Sequence, residues 1–282
     1  MTSFTLPEPI DVNLLMDESE LTYDWLIPGL LERGDRLIVT GGEGRGKSTL
    51  LRQIAVQTAA GIHPFTLEDM ARHRVLLVDL ENPKQSVRRK LAEIVRGRDI
   101  PDDTLWVARW PSGIDLTNPD EQEAMTALLT KLRPELLVIG PMYKLAQHLD
   151  KEEASSATAS VLDHWRGEFN FALIMESHQP HQTIVDGQRF RPERPFGSSL
   201  WMRWPEFGIC LEDRGVLRHW RGPREEREWP EKLYRGEEWP WMAEARMCLN
   251  CGKPLTPTQE KYCSEACGNA ARQAAHRARR KI

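Results

Sequence analysis

The chain has 282 residues, 40% of them hydrophobic and 28% charged, with a formal net charge of −4. That length allows one full α/β domain plus a small appendage, and that composition allows a real core. No apolar run approaches a membrane span and no basic-then-apolar leader opens the chain, so a soluble intracellular protein with no membrane partner is expected. The charge is uneven. Residues 243–282 hold eight Lys/Arg against three Asp/Glu, a local +5 that leaves −9 on the remainder. A basic tail thus hangs on an acidic body.

Residues 1–22 are acidic and proline-containing with weak periodicity, and read as a mobile lead-in. Asp35–Thr40 is a short apolar run that reads as a buried strand, and Thr49–Ala59 has helical spacing and good helix formers. Between them lies Gly41-Gly42-Glu43-Gly44-Arg45-Gly46-Lys47-Ser48, which fits G-x-x-x-x-G-K-[ST]. The glycines let successive backbone N–H groups point inward at a phosphate chain, with the helix N-terminus behind them. Lys47 then supplies a cation at the β- and γ-phosphates of ATP, Ser48 a hydroxyl for Mg²⁺, and Thr49 continues the site into the helix.

Arg74–Glu81 reads as a second buried strand, and Asn82-Pro83 opens a basic helix that runs to about Arg96. Asp79 and Glu81 share one side of that strand end, where open α/β sheets place ligands. Glu81 is the candidate base that orients and deprotonates the attacking water; the competing reading is an acid that caps a helix or solvates a loop. Leu105–Trp110 looks like an edge strand, followed by a helix from about Pro119 to Leu132. Leu136–Pro141 has the build of a Walker B strand, yet Gly140 stands where an Asp is expected. Three readings stay open. Asp79 serves the magnesium shell, or Ser48 and waters hold the metal, or hydrolysis is slow.

A helix from about Lys151 to Phe169 leads to a buried strand, Phe171–His178. His178 and Gln179 would sense the γ-phosphate, or His178 would simply bond a neighbouring carbonyl. The polar stretch Gln182–Phe196 reads as a mobile loop whose Arg189, Arg191 and Arg194 suit a nucleic-acid backbone, or are plain surface arginines. Phe207–Leu211 and Val216–Trp220 read as an antiparallel pair turning at Asp213–Gly215. The tryptophans at 201, 204, 220, 229, 239 and 241 either stack on bases or, as the preferred reading, pack on a sheet edge or a neighbouring subunit.

As an ordered series, Gly41–Ser48, the strand ending Asp79-Leu80-Glu81-Asn82-Pro83, Leu136–Pro141, Ser177-His178-Gln179, Gly197-Ser198-Ser199 and His219–Pro223 resemble the RecA/DnaB-type P-loop ATPases. The short RepA-like hexameric helicases and related phage DNA-metabolism proteins are the most similar branch. The resemblance implies a RecA-like core: an α/β fold with a mostly parallel central sheet flanked by helices. It implies a ring, hexameric in that branch, or a filament of identical subunits, with ATP bound between them. Glu81 matches the family's catalytic glutamate and Arg221 its arginine finger, donated by a neighbour, with Arg224 and Arg203 as alternatives. Gly140 departs from the Walker B aspartate.

In the tail, Cys248-x-x-Cys251 and Cys263-x-x-x-Cys267, with eleven residues between the pairs, have the spacing of a four-thiolate Zn²⁺ site; paired disulfides are the alternative. About forty residues cannot build a sufficient core alone, so a metal staple makes physical sense. Arg277, Arg279 and Arg280 then lie on a basic helix suited to phosphate contact. The expected domains are the lead-in 1–22, a RecA-like ATPase over 23–242 and a zinc module over 243–282. The expected function is a DNA-dependent ATPase, a helicase or translocase on single-stranded DNA held by the loops around Met142–Lys144, with Lys144 as a contact, and Gln182–Phe196, working with other replication or recombination proteins in a bacterial or phage-infected cytoplasm. A strand-annealing recombination protein and a non-catalytic ATP-binding helicase loader are the alternatives.

Overall fold

A computed structural model describes residues 9–16, 23–180, 183–185, 188–190, 192–222, 227–243, 248, 250, 251, 253, 261, 262 and 264–279. A short helix, α1 (Val12–Met16), precedes a small hairpin of β1 (Trp25–Ile27) and β2 (Leu31–Glu32). The body then alternates strand and helix: β3 (Arg36–Thr40), α2 (Lys47–Ala60), β4 (Val75–Asp79), α3 (Lys84–Val95), β5 (Leu105–Arg109), α4 (Pro119–Leu132), β6 (Leu136–Gly140), α5 (Glu152–Phe169) and β7 (Ala172–Glu176). A second hairpin, β8 (Thr183–Val185) and β9 (Gln188–Phe190), follows. Next come α6 (Leu200–Arg203), β10 (Phe207–Leu211), β11 (Leu217–Arg221), a short pair β12 (Tyr234–Arg235) and β13 (Trp241–Met242), and α7 (Glu265–Arg279).

The central sheet has seven strands in the order β11-β10-β3-β7-β6-β4-β5. All neighbours pair in parallel except β11, which returns antiparallel on β10. The sequence requires this arrangement. VLLVD, LLVIG and ALIME are near-continuous apolar runs, buried on both faces, as parallel strands must be when helices cover each side. Alternation divides the core into two layers. Leu37, Val39, Leu77, Val138 and Ile174 face α2, whereas Ile38, Leu76, Val78, Leu137 and Met175 face α4 and α5.

Helix α2 is buried almost all round, because the sheet covers one side and the β12–β13 strap covers the other. Its Gln53 is the tie: Nε2 donates to the Trp241 carbonyl at 2.7 Å and Oε1 accepts from the Trp241 amide at 2.8 Å. The strap and its surroundings also decide the tryptophan question. Trp201, Trp204, Trp229, Trp239 and Trp241 are all at most 8% exposed, so they pack and offer no face to a base, and Trp220 is half-buried against the core. The 182–196 segment departs from the expected loop. Thr183, Ile184 and Val185 pair with Phe190, Arg189 and Gln188, forming a hairpin directly beyond the strand end that carries His178.

Candidate nucleotide site

Parallel strands deliver their C-terminal ends to one edge of the sheet, and ligands bind there. The 41–48 loop leaves β3 at this edge, and Asp79, Gly140 and Glu176 end β4, β6 and β7 beside it. Gly46 caps α2 with φ 95°, a left-handed conformation that favours glycine. A Cβ there would lie 2.7 Å from Arg235 Nη2 and 2.9 Å from Trp241 Cζ2. Trp241 Nε1 donates to the Gly46 carbonyl at 3.2 Å, so the strap holds the loop from behind.

Lys47 is 3% exposed, and its Nζ donates to the carbonyls of Gly41 at 2.9 Å and Gly42 at 3.0 Å. The same amine lies 3.8 Å from Glu176 Oε1. Ser48 Oγ donates to Glu176 Oε1 at 3.0 Å. Glu43, Gly44 and Arg45 form the exposed crest of the loop, with Arg45 paired to Asp213, and Thr49 is half-buried in the first turn of α2. A hydroxyl, a carboxylate and a buried ammonium therefore converge where the phosphates of a nucleotide would lie. Oxygen donors of this kind suit Mg²⁺.

Asp79, the sequence-based candidate for the metal, lines the same small space as Ser48 and Glu176, and both of its oxygens accept hydrogen bonds within the protein. Its Oδ2 accepts from Arg52 Nη2 at 2.8 Å, and its Oδ1 accepts from the amides of Glu81 at 3.1 Å and Asn82 at 2.8 Å. Burial pushes this carboxyl up, but Arg52 and the Asn82 and Glu81 donors outweigh it and hold the group below the usual carboxylate range. Asp79 thus shapes the turn that presents Glu81. Glu81 is exposed, and Tyr143 Oη donates to its Oε1 at 3.1 Å.

His178 is half-buried, with its ring 5.7 Å from that of Tyr143. Its Nδ1 is buried with no hydrogen-bond partner among the described residues, so the bond to a neighbouring carbonyl does not form there. Burial and the Lys47 charge lower its pKa, keeping the ring neutral near pH 7. Gln179 reaches across to Cys210 Sγ at 3.2 Å, whose thiol burial pushes up to about 11. A cavity of about 570 Å³ joins these groups, lined by Glu43, Glu81, Tyr143, His178, Gln179 and Gly197.

Arg221 lies apart from this edge. Antiparallel β11 carries it to the level of Gly208, near the start of β10, and its Nε donates to the Pro205 carbonyl at 2.6 Å. Lys144 is half-buried in the turn beside Tyr143, and Arg194 is half-buried just past the β8–β9 hairpin. Arg189 belongs to β9, and Arg277 and Arg279 to α7; Arg191, Arg224 and Arg280 lie outside the described residues. In the tail, the Sγ atoms of Cys248, Cys251 and Cys267 lie within 4.8 Å of one another, and Cys263 lies outside the described residues.

Sequence reasoning passed over Glu176, Arg52 and the contact of Tyr143 with Glu81. Glu176 carried a legible signal, an acid closing an otherwise apolar strand directly before Ser177-His178-Gln179. Tyr143 and Arg52 gave none, because their partners are 62 and 27 residues away.

The fold is similar to that of a KaiC-like protein from the hyperthermophilic archaeon Pyrococcus horikoshii OT3. The match has a TM-score of 0.51 at 16% identity, over 76% of this chain and 91% of that one. At that identity the likeness is one of fold, an α/β core with a mostly parallel sheet flanked by helices. No curated protein matches the chain. No helix among the described residues is long and apolar enough to cross a membrane. The AAA domain family (AAA_25) matches residues 8–183, well over half the sequence and all of the phosphate-loop edge, and the chain belongs to that family.

Proposed function

We propose that this protein is a DNA-stimulated ATPase that binds single-stranded DNA and couples hydrolysis to translocation along it or to unwinding of a duplex. The observation that carries the reading is the contact between Tyr143 Oη and Glu81, 3.1 Å apart. It ties the candidate catalytic carboxylate to the turn that bears Lys144, a candidate phosphate contact. A strand seated on that turn would move Glu81 relative to the loop, and so couple DNA to turnover. Lys47 neutralises the transferred phosphoryl group, Glu81 orients water, and neutral His178 reads the γ-phosphate through its nitrogen. Mg²⁺, when bound, supplies charge neutralisation across the phosphates.

Arg221 sits at the opposite edge of the sheet from its own phosphate loop, so it serves a neighbouring copy in a ring or filament. The three clustered thiolates, with Cys263, hold Zn²⁺ and anchor the basic α7 for phosphate contact. The test is steady-state ATP hydrolysis with and without single-stranded DNA, on intact protein, Lys47→Ala and Glu81→Gln. Stimulation by DNA in the intact protein, lost in both variants, is the expected result. Absence of turnover in the intact protein overturns it in favour of an ATP-binding loader, the reading Gly140 favours. Turnover with annealing of complementary strands but no displacement of a duplex favours a recombination protein.

A further inference from the structure

We infer that Glu176, at the end of β7, is the carboxylate that holds the magnesium of the bound nucleotide, in the role that the bare Gly140 leaves open on β6. Three observations carry this. First, Ser48 Oγ, the loop hydroxyl that ligates the metal in P-loop enzymes, donates to Glu176 Oε1 at 3.0 Å. Register explains the proximity: β7 pairs directly with β3, and Glu176 stands level with Val39, two residues before the loop.

Second, the two positions exclude each other. A Cβ on Gly140 would lie 2.8 Å from Glu176 Cβ, closer than such atoms approach, and 3.2 Å from its amide nitrogen. A side chain on β6 and one on β7 cannot both stand here without a shift of the backbone, so the glycine is the room that the Glu176 side chain takes. A small cavity of about 20 Å³ remains between them, lined by Ser48, Asp79, Gly140 and Glu176 among others, large enough for one water-sized body.

Third, the other nearby carboxylate is committed. Asp79 accepts from Arg52 and from the amides of Glu81 and Asn82, and turning it to the metal would strand a guanidinium that is 6% exposed. Glu176, on the same edge, points at Ser48 and Lys47.

The inference rests on the phosphate loop binding a magnesium nucleotide, and is independent of DNA. Mn²⁺ serves as the probe, titrated by electron paramagnetic resonance in the presence of ADP on the full chain. A fluorescent ATP analogue reports nucleotide binding without metal. Glu176→Gln is expected to weaken Mn²⁺ about 10- to 100-fold while metal-free nucleotide binding is not weakened. The exchange variant Gly140→Asp/Glu176→Gly, which also removes the Cβ at 176, is expected to recover metal affinity, and decides the matter alone if Glu176→Gln fails to fold. Mn²⁺ affinity within about twofold of the intact protein in Glu176→Gln overturns the assignment, as does failure of the exchange variant where it decides alone. Failure of the intact protein to bind the nucleotide analogue overturns the phosphate-loop reading as well, so the two failures are distinguishable.

Discussion

Arg52 Nη2 donates to Asp79 Oδ2 at 2.8 Å, and the two side chains are 6% and 5% exposed. The pair welds the phosphate-loop helix to the strand that presents Glu81. Removing one partner leaves a buried charge uncompensated. Arg52→Met is therefore expected to cost about 3–5 kcal/mol in urea unfolding. The double variant Arg52→Met/Asp79→Asn should recover part of that loss, since a neutral amide needs no counter-charge and its Oδ1 can still accept from the Glu81 and Asn82 amides.

Trp241 closes the loop from behind through its bonds to Gly46 and Gln53. Trp241→Ala removes a large buried ring and is expected to destabilise the fold by about 3–5 kcal/mol. Nucleotide affinity should fall as well, because Gly46 loses the donor on its carbonyl. Calorimetric unfolding and analogue binding on the same preparation read the two effects separately.

Glu135 accepts from Arg33 at 2.7 Å, from the Arg74 amide at 2.9 Å and lies 3.2 Å from His73 Nδ1. Burial pushes its carboxyl up, but the Arg74 amide, Arg33 and His73 win and hold it at about 2, against 4.5 for the free group. A folded pKa below the unfolded one means stability that is full above pH 4.5 and is lost as pH falls towards 2. Glu135→Gln should lower stability at pH 7 and flatten its decline across that acid window. A series of denaturant melts at stepped pH checks the slope.

The Tyr143 phenol is pushed up to about 12 by desolvation and by the Glu81 carboxylate, so it remains a proton donor across the working range. Tyr143→Phe removes only the oxygen. Loss of a hydrogen bond to a charged group of about 1–2 kcal/mol predicts a fall in turnover of about 5- to 30-fold. Nucleotide affinity should stay constant, because the hydroxyl touches Glu81 and not the loop. Stimulation by DNA should shrink in the same variant if the turn relays strand binding.

Metal in the tail is testable without activity. Elemental analysis is expected to find about one Zn²⁺ per chain, matching a four-thiolate site. Chelation or Cys251→Ser should melt α7, seen as lost helical circular dichroism, while ATP hydrolysis without DNA persists. A tail that keeps its helicity after complete chelation would remove the zinc assignment.

Fold was legible where apolar runs alternate with helical spacing. Pro119–Leu132 is legible at its start because Asn118 caps it and Pro119 occupies its first turn. The β10–β11 pair was equally plain, since the turn at Asp213–Gly215 breaks two apolar runs. The 183–190 hairpin was not, because its strands are three residues each and rich in polar side chains. At the site, Lys47 and Ser48 follow from local spacing, but the partner of Ser48 does not. Glu176 reaches it only through the order of strands, 128 residues along the chain. A linear motif looks for its acid on one strand, and parallel neighbours at the same edge can supply it from another.

The β12–β13 strap also sets where the C-terminal segment meets the core. Trp241, Met242 and Ala243 are the last described contacts with the core before the cysteine cluster. Trp241 bears on the Gly46 carbonyl and on Gln53, so this junction lies directly behind the backbone of the phosphate loop. Among the described residues, the segment that leads to the cysteines leaves the core from the same side chain that supports Gly46.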